Sequence, residues 1–115
     1  MPLLKLQTSV SVPQEKRVEL VKALSKITAE GIGKPETYVM VTLDECSACM
    51  AGEVGPAAFA DIRSIGGLNS SVNRKISEQV CALLEGELGI AGDRVYLNFT
   101  EISAGNWGWN SSTFG

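Results

Sequence analysis

The chain of 115 residues has no histidine, only three cysteines and four prolines, and 6% aromatic residues. Without imidazole, the side chain most often used for proton transfer near neutral pH is missing, so acid–base chemistry there has to come from another group. Three cysteines do not make a disulfide framework, and with no histidine they cannot complete a usual four-ligand structural zinc site within one chain. No apolar run is long enough to span a bilayer, and the first residues show neither a basic leader with an apolar block nor a small-residue cleavage site. A cytoplasmic protein without a signal peptide is therefore expected, any export following a non-classical route. The net charge of −3 lacks the basic excess of a phosphate-backbone binder, so neither nucleic acid nor membrane is expected as a partner. With 44% hydrophobic and 20% charged residues, the length fits a single domain over 1–115.

What is present begins at the second residue. Pro2 opens an apolar, strand-like run, Pro2-Leu3-Leu4-Lys5-Leu6. If Met1 is removed, Pro2 becomes a secondary amine on a strand. A free α-amino group titrates around 8, and burial or a nearby cation lowers it, which makes it a general base in a chain without histidine. Taken alone, Pro2 is better read as a residue tolerated at a chain end.

The chain also resembles itself. A shift of 58 places Gly31-Ile32 over Gly89-Ile90, Tyr38 over Tyr96 and Thr42 over Thr100, which divides it into a pseudo-repeat of 2–57 and 58–115. Each half reads strand, helix, strand. In the first, residues 2–8 are strand-like, Ser11 reads as a helix cap with Pro13 in the first turn, Leu20, Leu24 and Ile27 mark an apolar helical face, Gly31 and Gly33 read as stops, and Tyr38–Leu43 reads as a strand. In the second, a strand at 58–65 is followed by Asn69 or Ser70 as cap, a helix to Leu88 with Val72, Ile76, Val80, Leu83 and Leu84 on its apolar stripe, and a closing strand Val95–Ile102. A helix between the two strands of each half makes them parallel through a right-handed crossover. Two such units give an α+β, β-α-β-β-α-β chain with a four-stranded mixed sheet and both helices on one face. The other face is left uncovered, and self-association is the simplest way to bury it.

Several blocks in order carry a family resemblance: Pro2, Gly33-Lys34-Pro35, Ser64-Ile65-Gly66, Asp93-Arg94-Val95-Tyr96-Leu97-Asn98 and Gly108-Trp109-Asn110-Ser111-Ser112-Thr113-Phe114. Over nearly its whole length the chain resembles the macrophage migration inhibitory factor family of the tautomerase superfamily. That resemblance implies a homotrimer with active sites between subunits, needing no cofactor and no metal. It also implies an isomerase acting on small aromatic keto acids of the phenylpyruvate and 4-hydroxyphenylpyruvate type, and on dopachrome derivatives. By family position Pro2 is the catalytic base, Lys34 depresses its pKa and attracts the substrate carboxylate, and the Ile65 N–H seats a carboxylate or carbonyl. Tyr96 and Asn98 reach in from a neighbouring subunit, while Tyr38, Trp109 and Phe114 surround the ring, with Leu3 and Trp107 as further walls. Taken singly, Lys34 is more often a solvated loop lysine and Tyr38 more often sheet packing; the family positions taken together favour function for Pro2, Lys34 and Asn98.

The relatives' Cys-x-x-Cys aligns with Ala57-Ala58-Phe59-Ala60, so both of its cysteines are absent. A different pair, Cys46-Ser47-Ala48-Cys49, is followed by Met50-Ala51-Gly52-Glu53, which is no helix signal; a thioredoxin-type pair opens a helix whose N-terminus lowers the thiol pKa. Two alternatives to the enzyme stand beside it: a cytokine-like signalling protein with a vestigial pocket, whose receptor binding would rest on surface residues, and a thiol oxidoreductase using Cys46 and Cys49.

Overall fold

A computed structural model describes all 115 residues, Met1–Gly115. Alternation along Leu3–Thr8 (β1) sends Leu4, Leu6 and Thr8 inward and leaves Leu3, Lys5 and Gln7 on the other face. Helix Gln14–Ile32 (α1) leads to Met40–Glu45 (β2), then to a short hairpin of Cys49–Met50 (β3) and Glu53–Val54 (β4). Ala58–Ser64 (β5), helix Ser70–Leu88 (α2) and Val95–Glu101 (β6) repeat the pattern, and a second hairpin of Gly108–Trp109 (β7) and Ser112–Thr113 (β8) ends the chain. The main sheet runs β2-β1-β5-β6, parallel between β1 and β2 and between β5 and β6, antiparallel at the β1–β5 seam. This is the mixed four-stranded sheet expected from the sequence. No helix is long and apolar enough to cross a membrane.

One core holds the layers together. Leu4, Leu6, Ala60 and Ile62 of the sheet pack with Leu20 and Leu24 of α1 and with Ile76, Val80 and Leu84 of α2. Each fully buried Leu or Ile stabilises the fold by about 1.5–3 kcal/mol relative to an exposed one. The small Ala58 and Ala60 on the covered face of β5, both buried, leave room for helices laid close on the sheet.

Helix ends show how local sequence and tertiary contacts divide the work. Asn69 caps α2, its side-chain oxygen accepting the Val72 N–H at 2.9 Å, and Gly89 closes it in a left-handed conformation at φ 67°. The start of α1 differs from expectation: Ser11 is exposed and caps nothing, Pro13 borders the helix, and no side chain caps it. Instead the Glu45 carboxylate at the end of β2 accepts the Val12 N–H at 2.9 Å and pairs with Arg17, whose Nε donates to the Val12 carbonyl. The Val12 N–H first, and then the Arg17 charge, hold that carboxyl below its ordinary pKa. Two further corrections concern the first half. Gly31 does not stop α1 but lies within it, where an added Cβ would come 2.6 Å from Ile76 Cγ1 of α2; Gly33, at φ 79°, is the stop. Tyr38 belongs to a short 3-10 turn, Glu36–Tyr38, and β2 starts only at Met40.

The opposite sheet face carries no helix. Register places Met40, Leu3, Arg63 and Thr100 in one row across it, Thr42, Lys5, Asp61 and Asn98 in the next, and Asp44, Gln7, Phe59 and Tyr96 in the third. Met40 and Tyr96 stand 63% and 67% exposed on this face.

Candidate functional site

The start of β1 and the last ten residues of the chain meet around one cavity. It measures about 390 Å³ and is walled by Met1, Pro2 and Leu3, by Thr37–Met40, and by Trp107, Gly108, Trp109 and Phe114. Pro2 is less than 2% exposed, fixed by the strand that follows and by its carbonyl accepting the Met40 N–H at 3.1 Å. The C-terminal hairpin turns through Asn110 and Ser111, both at positive φ (52° and 65°), the conformation of a two-residue type I′ turn. The Phe114 N–H donates to the Trp107 carbonyl at 3.1 Å, closing the hairpin over the cavity. That packing brings three rings together: Trp109 stacks on Phe114 at 5.5 Å and 13°, and Tyr38 meets both edge-on at 6.3 Å. Such a cluster is an apolar aromatic slot, rigid without any metal or disulfide.

Lys34 follows the left-handed cap of α1, its backbone N–H donating to Ala29 O at 3.0 Å. No carboxylate lies within ion-pair distance of its ammonium; the chain's ion pairs are Lys16–Glu87, Arg17–Glu45 and Arg63–Asp61. The Met1 α-amino group beside the cavity is held below its ordinary pKa, first by burial and then by the Lys34 charge. Desolvation and like-charge repulsion both favour the neutral amine, the form that accepts a proton.

Ile65 follows β5 in the loop Ile65-Gly66-Gly67, whose two glycines have φ of 73° and 83°. Ser64 Oγ donates to the Gly66 carbonyl at 2.7 Å and the Ile102 N–H donates to the Ser64 carbonyl at 2.9 Å, which pins the loop. The Ile65 N–H takes part in none of these bonds, so the loop does not consume it. At Gly67 an added Cβ would come 2.6 Å from Ile32 Cγ2, 3.2 Å from the Ile32 carbonyl and 3.5 Å from Lys34 Cε. Gly67→Ala is therefore expected to destabilise the fold by about 1–3 kcal/mol in urea denaturation, through positive φ and backbone crowding. An unchanged midpoint would mean that the loop does not rest on the end of α1.

Within one chain the candidate residues do not all converge. Pro2, Tyr38, Trp109 and Phe114 wall the cavity, and so do Leu3 and Trp107; Lys34 and Ile65 are not part of its wall. Tyr96 and Asn98 lie on β6, two strands from β1, or about 10 Å across the sheet. Asn98 shares a row with Lys5, roughly 10 Å along from Pro2, and Tyr96 one with Gln7, roughly 17 Å along. Tyr96 instead lines a depression of about 500 Å³ at the far end of the sheet, with Gln7, Cys46, Met50, Phe59 and Arg94. There the Arg94 guanidinium donates to the carbonyls of Met50, Glu53 and Pro56, tying down the β3–β4 hairpin. Cys46 and Cys49 are exposed and open no helix, one following β2 and the other starting β3; the Cys81 thiol of α2 is pushed up by burial and then by Glu85.

Sequence reasoning missed Thr37, Val39 and Met40 as cavity residues, because the cavity is bounded by the turn before β2 and not by a strand at Tyr38. It also missed both hairpins. The pair Asn110-Ser111 was the available signal for the second, since asparagine tolerates positive φ.

Comparison with known proteins agrees with this architecture. The family model described as macrophage migration inhibitory factor matches residues 1–115. The rat macrophage migration inhibitory factor is 36% identical over 118 residues, covering 99% of both chains. A migration inhibitory factor-like protein from Entamoeba histolytica superposes with a TM-score of 0.94 at 36% identity over 98% of both chains. A homologue from Prochlorococcus marinus gives 0.92 at 39% identity, over 98% of this chain and 99% of that one. With the same β-α-β-β-α-β order, the same sheet and similarity from end to end, the chain belongs to the macrophage migration inhibitory factor family, within the tautomerase superfamily.

Proposed function

We propose that the protein is a keto–enol tautomerase of aryl 2-oxo acids, of the phenylpyruvate and 4-hydroxyphenylpyruvate type, that also tautomerises dopachrome-type substrates, with Pro2 as the acid–base group once Met1 has been removed. The observation that carries this reading is a buried Pro2 at the head of an aromatic-walled cavity, beside a terminal amine whose pKa burial and Lys34 both lower. Removing Met1 transfers the terminal nitrogen to Pro2, deeper in the same surroundings. The neutral amine then takes a proton from the carbon between ring and ketone. The C–H electron pair moves into the enolate, whose oxygen charge the Ile65 N–H and the Lys34 field stabilise. The pyrrolidinium returns its proton to that oxygen, giving the enol with nothing gained or lost.

The distribution of site residues supports a homotrimer with sites between subunits. Tyr96 and Asn98 are too far along and across the sheet to serve the Pro2 of their own chain, and the uncovered face bears exposed Met40, Phe59 and Tyr96. A head-to-tail ring would bring the β6 face of one copy against the Pro2 cavity of the next. Asn98 would then bond a substrate phenol. The chain works as one domain over 1–115, in the cytoplasm, without cofactor or metal.

The test is ultraviolet detection of phenylpyruvate ketonisation by the intact chain, with light scattering on the same sample. Turnover by a particle of three chains' mass is expected, and Asn98→Ala should raise KM for 4-hydroxyphenylpyruvate several-fold while sparing phenylpyruvate. Intact trimers without turnover on any aryl 2-oxo acid would overturn the enzyme reading.

A further inference from the structure

A second lobe adjoins the proline cavity. It measures about 240 Å³ and is lined by Leu3, Arg63, Ile102, Asn106, Trp107 and Gly108. Leu3, Trp107 and Gly108 also wall the first cavity, so the two spaces share that rim. Arg63 is placed there by register, directly opposite Leu3 across the antiparallel seam, where facing Cβ atoms are about 4.5–5.5 Å apart. Among the side chains lining the two spaces it is the one cation, and no Asp or Glu lines either. Within one chain its only protein partner is Asp61, through a single contact of 3.1 Å from one terminal nitrogen, and the side chain is 49% exposed. A guanidinium has five N–H donors in a planar fork, so that contact leaves most of them for a ligand. The Asn106 carboxamide adds a neutral donor on the same wall.

We propose that this lobe is an anion subsite, and that Arg63 makes the protein select aryl 2-oxo acids carrying a second negatively charged group, such as a ring carboxylate. This selectivity rests on the keto-acid reading of the Pro2 cavity. Lys34 meets the carboxylate beside the ketone, and Arg63, beyond Leu3, meets the distal one. A carboxylate there forms a charge-assisted fork with Arg63, whereas a neutral ring leaves the guanidinium in water.

Binding of phenylacetate and 4-carboxyphenylacetate to the intact chain, measured by isothermal titration calorimetry, separates the two questions because neither ligand turns over. The dicarboxylate is expected to bind at least tenfold more tightly. Arg63→Gln should bring the ratio to near one while changing phenylacetate affinity less than twofold, and Arg63→Lys should keep part of the preference. Asp61→Asn, which releases the guanidinium from its carboxylate, should increase the preference, and it decides the matter if Arg63→Gln does not fold. Equal affinities in the native chain, or a ratio untouched by Arg63→Gln, would remove Arg63 as the anchor. A preserved ratio in a protein that does not ketonise phenylpyruvate would keep the subsite and reject the tautomerase.

Discussion

A form of the protein that retains Met1 should lose phenylpyruvate tautomerisation almost completely, by about 10²-fold or more in kcat/KM, and Pro2→Gly should fall by a similar factor. Positioned acid–base groups contribute about 10²–10⁴-fold. An extra residue turns the Pro2 nitrogen into an amide with no basic lone pair and moves the amine by about 3.8 Å, more than a reacting geometry tolerates. Glycine keeps an amine but loses the ring that fills the buried position and fixes φ. Intact-protein mass spectrometry must accompany the assay, so that each rate belongs to a known N-terminus. Full activity in a chain shown to carry Met1 would exclude Pro2 as the base.

Lys34→Gln should move the acid limb of the kcat/KM profile to higher pH and raise KM about tenfold. The sign follows from which form is active. With the neutral amine proposed as the base, activity should rise with pH through the amine pKa; a neighbouring cation lowers that pKa, and its removal raises it. At the Met1 amine burial is the larger cause of the depression and Lys34 the second; with Pro2 in the same surroundings, the limb should move only part of the way back towards an ordinary amine. Lys34→Arg keeps the charge and should hold the limb in place while disturbing KM. A profile unmoved by Lys34→Gln would mean that the Lys34 field does not reach the catalytic nitrogen.

Features set by neighbours in sequence were the legible ones. The second helix could be read from its Asn69 cap to Leu88 because such a cap acts on adjacent backbone. The first helix could not, since its start is organised by Glu45, 33 residues from Val12. Gly31 reads locally as a breaker, yet its role is to let α1 approach Ile76, a contact between halves of the chain. The candidate site divides the same way. Pro2 and the aromatic tail were legible as residue types and the family resemblance put them in one site; the fold adds that the two ends wall one cavity and that Arg63 stands just beyond it.

That joining of ends has a consequence in time. Residues 1–3 and Trp107, Gly108, Trp109 and Phe114 wall the same space, so the site is unfinished until the last residues of the chain have been made and have folded back. Synthesis proceeds from the N-terminus at about 5–20 residues per second, which leaves the Met1–Pro2 bond uncovered for several seconds before the C-terminal hairpin closes over it. In the finished fold Pro2 is buried. Under the proposed mechanism, excision of Met1 therefore meets least obstruction on the nascent chain, before the hairpin closes beside the bond.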